Sequence, residues 1–454
     1  MSNPLLLTLL LHLLAATGAL SDRQNDTPVG RFQNYLRINT AHPNPNYAAP
    51  VAFLTAIAQT LNLQIQTLHF TPSKSKPLLL LTWPGSHPSL PSLLLNSHLD
   101  SVPAEPDKWT HPPFSAHRTP EGLIFARGAQ DDKCIAIQYL EAIRNLKAAN
   151  FTPIRTVHVS LVPDEEIGGL DGAAKFAASK QFHDLNVGFM LDEGQANPGD
   201  EFRVFYADRT PWNLIVKAQG TPGHGSRLYD NGAMENLMKS VEVMTRFREV
   251  QFDEVKAGNA AISEVISVNP VYLKSGIPSG DGFVMNMQPS EAEAGFNIRI
   301  PPTADPELLR KRIAEEWAPA SWNLTYQLLE QGPTRDFMGR PLATATDDSN
   351  PWWSVFKQAI ESAGGKLAKP EILTSTTDAR YMRQQGIPAL GFSPMTNTPI
   401  LLHDHNEHEL IMNIFSRLQH LFFSQHLKDT IFLKGIKVYE SLISALSSFE
   451  QRSQ

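Results

Sequence analysis

The chain has 454 residues, 42% of them hydrophobic and 19% charged, with a net charge of −7. That length exceeds one ordinary core, so two domains are expected; an acidic balance without a basic stripe argues against a general nucleic-acid binder. A single cysteine, Cys134, excludes an internal disulfide and a cysteine-built zinc site, so a metal here must be held by His, Asp and Glu.

Residues 5–20 form an apolar run too short to span a bilayer comfortably, with small residues Thr17-Gly18-Ala19 near its end. It reads as a signal peptide over residues 1–20, although it lacks a basic n-region. The expected location is therefore the secretory pathway or the exterior. The sequons at Asn25, Asn150 and Asn323 are compatible with this.

Residues 29–38 place Val29, Phe32 and Leu36 on one helical face, and residues 51–61 form a second amphipathic helix. Residues 78–83 and 93–97 are continuous apolar runs, read as buried strands. The second ends in Ser97-His98-Leu99-Asp100. A Pro-rich loop and a short strand at 123–126 lead to Asp131-Asp132 and a long helix marked by Ile135, Tyr139 and Ile143. The β-branched run 156–162 is a strand ending in Asp164-Glu165-Glu166. An Ala-rich helix over 172–179 follows, then a strand at 187–191 ending in Asp192-Glu193-Gly194. Apolar strands alternating with helices indicate a largely parallel α/β sheet.

From about Phe205 the pattern changes. Strands with one exposed face, such as Phe296, Ile298 and Ile300 against Asn297 and Arg299, interleave with helices near 233–248 and 306–317. This is a small α+β domain of ferredoxin-like order inserted into the first. The expected division is 21–205, 206–330 and 331–454, the last returning to the first domain through a buried strand at 387–392.

Ligands of open α/β sheets bind beyond the carboxyl ends of the strands. His98, Asp100, Asp131, Glu165, Glu166, Glu193, His403 and His405 collect there. Zinc takes N and O ligands, and two zincs sharing a carboxylate need about five protein ligands. Asp131 suits the shared position, and Asp100 suits an acceptor that fixes the His98 tautomer. Asp132, Asp164 and Asp192 are expected to be loop charges. Adjacent Glu165 and Glu166 point in different directions, so one can bind metal while the other moves a proton.

Six motifs occur in order: Ser97-His98-Leu99-Asp100, Ala126-Arg127-Gly128-Ala129-Gln130-Asp131, Pro163-Asp164-Glu165-Glu166-Ile167-Gly168-Gly169, Leu191-Asp192-Glu193-Gly194, Gly220-Thr221-Pro222-Gly223-His224-Gly225-Ser226 and Leu402-His403-Asp404-His405. Together they resemble the zinc-dependent aminoacylase/carboxypeptidase/dipeptidase amidohydrolase family, in its aminoacylase branch. The resemblance implies a zinc-hydrolase catalytic domain with a lid and dimerisation domain over 206–330, two zincs per subunit and a homodimer. His98, Asp131 and Glu193 would hold one zinc; Asp131, Glu166 and His403 the other. Glu165 would be the general base and acid, and Asp100 would orient His98. His224 would reach the partner subunit's site and stabilise the oxyanion. Asn286, Arg299 and Arg380 are candidates for substrate contacts. The implied reaction is hydrolysis of N-acyl-L-amino acids, with a dipeptidase, a carboxypeptidase or an inactive binding homologue as alternatives.

Two features depart from the family pattern. The leader is unlike the cytoplasmic members, which makes the cytoplasm the alternative location. Residues 408–425 also read as an extra segment, either a retained intron or an added helix carrying Ile411, Ile414, Phe415, Leu418 and Leu421.

Overall fold

The structure, a computed structural model, describes residues 26–403 and 424–450. The expected leader, His405 and positions 408–423 of the expected insertion lie outside the described residues. None of the described helices is long and apolar enough to cross a membrane. The chain divides into two units. The first takes the described residues of Met1–Val204, Ala345–Pro370 and Ile387–Gln454. The second takes Phe205–Thr344 and Glu371–Gly386.

In the first unit, six strands lie in the order Gln64–His69, Pro77–Trp83, Val157–Val162, Ser92–His98, Val187–Asp192 and Ala389–Phe392. The last four run parallel to one another. Every residue of Ser92–His98 is buried, as expected for a central parallel strand covered on both faces. Pro77–Trp83 runs antiparallel to both of its neighbours, Gln64–His69 and Val157–Val162. An apolar run does not state its direction; the short link between Gln64–His69 and Pro77–Trp83 permits only the antiparallel return.

Helices Pro28–Leu36 and Pro351–Ser362 start the same way. Thr27 Oγ1 accepts the Gly30 N–H at 3.0 Å and Asn350 Oδ1 accepts the Trp352 N–H at 3.2 Å, each with proline at the first helical position. The cap satisfies an amide the helix cannot, and proline contributes a preset φ with no amide to satisfy. Helices Lys133–Ala148 and Asp429–Ser448 pack together, with Tyr139 and Tyr439 ring centroids 4.6 Å apart. The helix expected at 172–179 is two short ones, Ala173–Ala177 and Lys180–Asp184. Ser179 divides them, its Oγ accepting the Phe182 N–H at 3.1 Å.

His158 is buried in Val157–Val162, its Nδ1 2.9 Å from Thr82 Oγ1, and burial pushes its pKa down to about 4. The unfolded chain keeps the ordinary value of 6.5 and so binds more protons between the two. This contribution is therefore intact above pH 6.5 and lost as pH falls towards 4. Melting temperature against pH is expected to be shallower over that window for His158→Gln than for the parent.

The second unit holds a four-stranded antiparallel sheet in the order Ser267–Ser275, Glu291–Ile300, Thr210–Gln219 and Leu324–Glu330. With helices Ala233–Lys256 and Pro306–Arg312 between strands, this is the ferredoxin-like order. Trp212 faces Ile298 and Leu214 faces Phe296 in register, and they join Val216 and Trp317 in one core. The unit continues past 330 to Thr344 and takes in Glu371–Gly386, so it carries Arg380.

Candidate metal centre

Three parallel strands deliver the site. Ser92–His98 ends on His98, Val157–Val162 runs into the one-turn helix Glu165–Ile167, and Val187–Asp192 is followed by Glu193. Asp131 precedes helix Lys133–Ala148. Gly194 permits the close seating of Glu193's loop: a Cβ there would lie 2.9 Å from the Phe392 backbone.

These elements bring five predicted ligands into two trios, His98–Asp131–Glu193 and Asp131–Glu166–His403. The donor atoms of each trio lie within 4.8 Å of one another. Asp131 belongs to both and turns one oxygen to each imidazole. Its Oδ1 is 2.9 Å from His98 Nε2 and its Oδ2 is 3.2 Å from His403 Nε2. Glu166 Oε2 lies 2.9 Å from His403 Nε2, and its Oε1 accepts the Val102 N–H at 3.2 Å. Glu193 Oε2 is 3.7 Å from His98 Nε2. His403 reaches the cluster from a left-handed backbone, φ 60°, a conformation that costs energy and collects at functional sites.

The electrostatics are those of a carboxylate surplus around two imidazoles. For Asp131, burial opposes ionisation, but His403 and His98 hold its pKa well below the carboxylate range. Contacts with Asp131 and Glu166 raise His403 to about 10. Burial and the charge of Asp131 push Glu193 and Glu166 up. Buried charge of this kind is stable only when paired or coordinated to metal. Two imidazoles and three carboxylates with no thiolate suit zinc. The residues present therefore fit a pair of divalent ions.

Asp100 sits beneath the cluster, fully buried. His98 Nδ1 is 2.9 Å from the Asp100 backbone carbonyl and 3.4 Å from its Oδ1. The shorter contact is to the carbonyl, not to the carboxylate expected from the sequence. The carboxylate also accepts the N–H groups of Glu165 and Glu166, at 3.2 and 3.1 Å, and contacts His42 Nε2 at 2.8 Å. Glu165 is half-buried on the same turn as Glu166.

Asp132, Asp164 and Asp192 are not loop charges: all three are buried and bonded. Asp132 Oδ1 accepts from Ser97 Oγ at 2.8 Å and the His98 N–H at 3.1 Å. Asp192 Oδ1 accepts from Asn96 at 2.9 Å. Asp164 takes Lys76 Nζ and the N–H groups of Asp171 and Gly172. Asp132 thereby satisfies the backbone amide at the end of Ser92–His98, and Asp164 two amides of the loop that follows Glu165–Ile167.

Gln130 was also missed. Its amide donates to the carbonyls of Pro399 and His426 and accepts the Leu401 N–H, tying the segment that leads to His403 beside Asp131. Gln425, in the segment read as an insertion, is bonded into the same loop: its side chain and carbonyl accept the Gly128 and Ala126 N–H groups.

The remaining candidates lie in the second unit. His224 is exposed, its Nδ1 2.7 Å from Ser226 Oγ. Gly225 N–H donates to the Asn286 carbonyl at 2.6 Å, placing those two candidates side by side. Arg380 is buried over the Tyr381 ring. Burial and the nearby Arg380 lower the pKa of Arg299. Arg209, which sequence reading passed over, joins them: burial and Arg299 bring it down to about 10. Nothing local in the sequence marks Arg209, because its partners are over fifty residues away at Ile262, Ser267 and Thr374.

Residues 94–419 match the family described as Peptidase family M20/M25/M40. Mouse (Mus musculus) aminoacylase-1 is 41% identical over 430 residues, covering 94% of this chain and 97% of its own length. Among solved structures, an M20 family metallo-carboxypeptidase from Sulfolobus solfataricus aligns with a TM-score of 0.66 at 15% identity, covering 93% of this chain and 99% of its own. A dinuclear metal-binding peptidase of family M20 from Bacillus subtilis aligns with a TM-score of 0.58 at 14% identity, covering 92% and 98%.

Proposed function

Because this chain belongs to peptidase family M20/M25/M40 and is a hydrolase of amides, its kinship with aminoacylase-1 shown at 41% identity, we propose that it hydrolyses N-acyl-L-amino acids. The observation that carries this is the shared carboxylate: each oxygen of Asp131 faces a separate His–carboxylate trio. His98, Asp131 and Glu193 would hold one zinc and Asp131, Glu166 and His403 a second, and the bound metal would supply Lewis acidity and a hydrolytic nucleophile at neutral pH.

Glu165 accepts the proton released by the attacking water and passes it to the departing amine. Asp100 keeps Glu165 and Glu166 in register by holding both of their backbone amides. The guanidinium groups of Arg209, Arg299 and Arg380 favour an anion, and the α-carboxylate of an amino acid suits a bidentate Arg. His224, contributed by the lid of a second subunit in a homodimer, donates to the carbonyl oxygen as it gains charge.

The test is zinc stoichiometry beside hydrolysis of N-acetyl-Met and of a dipeptide. Two zincs per chain, activity abolished by a chelator and restored by zinc, and a preference for N-acetyl-Met are expected. A preference for the dipeptide would move the assignment to peptidase. Purified protein without metal and indifferent to chelation would end the metallohydrolase reading.

A further inference from the structure

We propose that His42 is a positioning residue of the metal centre, acting through Asp100; the inference rests on the metallohydrolase reading above. His42 belongs to neither ligand trio. Its Nε2 lies 2.8 Å from Asp100 Oδ2, and its side chain is 10% exposed against 0% for Asp100. The carboxylate accepts, so the ring N–H at Nε2 donates.

What Asp100 does with that anchor gives the contact its consequence. The oxygen that His42 holds also accepts the amide of Glu166 at 3.1 Å. The other accepts the amide of Glu165 at 3.2 Å and lies 3.4 Å from His98 Nδ1. One carboxylate thus sets a ligand of each trio together with the proposed base. Within these contacts His42 is the side-chain donor that is not itself part of the site. Without it, the Glu165 and Glu166 amides alone, among these contacts, oppose rotation of the carboxylate towards His98.

His42 is held where it can do this. Its own N–H donates to the Ser101 carbonyl at 3.0 Å, and the Ser101 N–H donates to the Thr40 carbonyl at 3.1 Å. Residues 40–42 are thereby fastened beside Asp100. His42 also lines an open cleft of about 650 Å³ with Pro103, Pro112 and Phe114. A small molecule entering from solvent can therefore reach the place its ring occupies.

The test uses the full-length zinc-loaded protein, with His42→Ala and His42→Gln. Partners behind a metal ligand typically contribute 10- to 100-fold in metal affinity or activity. His42→Ala is expected to lower kcat about 10- to 100-fold with KM within about twofold, and to lose zinc at a correspondingly lower chelator concentration. His42→Gln, whose amide N–H can reach the same oxygen, is expected to recover most of both, and added imidazole to recover part of the kcat of His42→Ala. Should His42→Ala fail to fold, His42→Phe replaces it under the same criteria. A kcat and zinc affinity within twofold of the parent in the folded variant overturn the proposal. So does equal loss in His42→Ala and His42→Gln tracking a fall in melting temperature. A parent that binds no zinc removes the underlying reading instead.

Discussion

Glu165→Gln is expected to bind as much zinc as the parent and to lose about 10²- to 10⁴-fold in turnover, the usual worth of a positioned general base. The substitution keeps the volume and the backbone amide that donates to Asp100 Oδ1 at 3.2 Å. What it removes is the ability to take a proton. Glu166, one residue on, faces His403 with one oxygen and the Val102 N–H with the other, so it has no free oxygen for that task. Elemental analysis and kcat on N-acetyl-Met should be measured on one preparation. Turnover near the parent's at full metal occupancy would take the acid–base role away from Glu165.

Asp131→Ala is expected to cost both metals, whereas His403→Ala or Glu193→Ala costs mainly one. The reason is geometric: Asp131 alone is common to both trios. Its removal leaves His98 and His403 without the carboxylate each contacts at 2.9 and 3.2 Å. Metal ions contribute several kcal/mol to the transition state, so activity should fall by about a thousandfold or more. Zinc stoichiometry and melting temperature with and without chelator distinguish the variants. If Asp131→Ala retains one tightly bound zinc, the shared-ligand arrangement is wrong.

The lid-type unit was the more legible of the two. Phe296, Ile298 and Ile300 alternate with Asn297 and Arg299, and all three are buried in one core, Phe296 beside Leu214 and Ile298 beside Trp212 on the neighbouring strand. Period-two burial is a local property and can be read from one strand. The catalytic sheet was legible as strands and, from their alternation with helices, as largely parallel; its antiparallel member was not, since a fully buried strand looks the same run either way. Thus Pro77–Trp83, apolar throughout, proved antiparallel to Val157–Val162.

The site divides along the same line. Strand ends bearing His98, Glu166 and Glu193 stand out in the chain because charge is abruptly placed beside an apolar run. The partners that hold them do not. His42 and Asp100 are 58 residues apart, Gln130 and Leu401 are 271 apart, and Arg209 and Thr374 are 165 apart.

Residue type and spacing along the chain were enough for the kinds of element, the inventory of metal-binding groups and the chemistry those groups can perform, because each depends on neighbours a few bonds away. Whether a carboxylate is solvated or buried, which oxygen meets which imidazole, and which distant side chain supports it depended on the packed fold. Burial and hydrogen-bond partnership are set by segments that meet only when the chain closes on itself; Asp132 and Asp164 read as charges in water until the strands above them are in place.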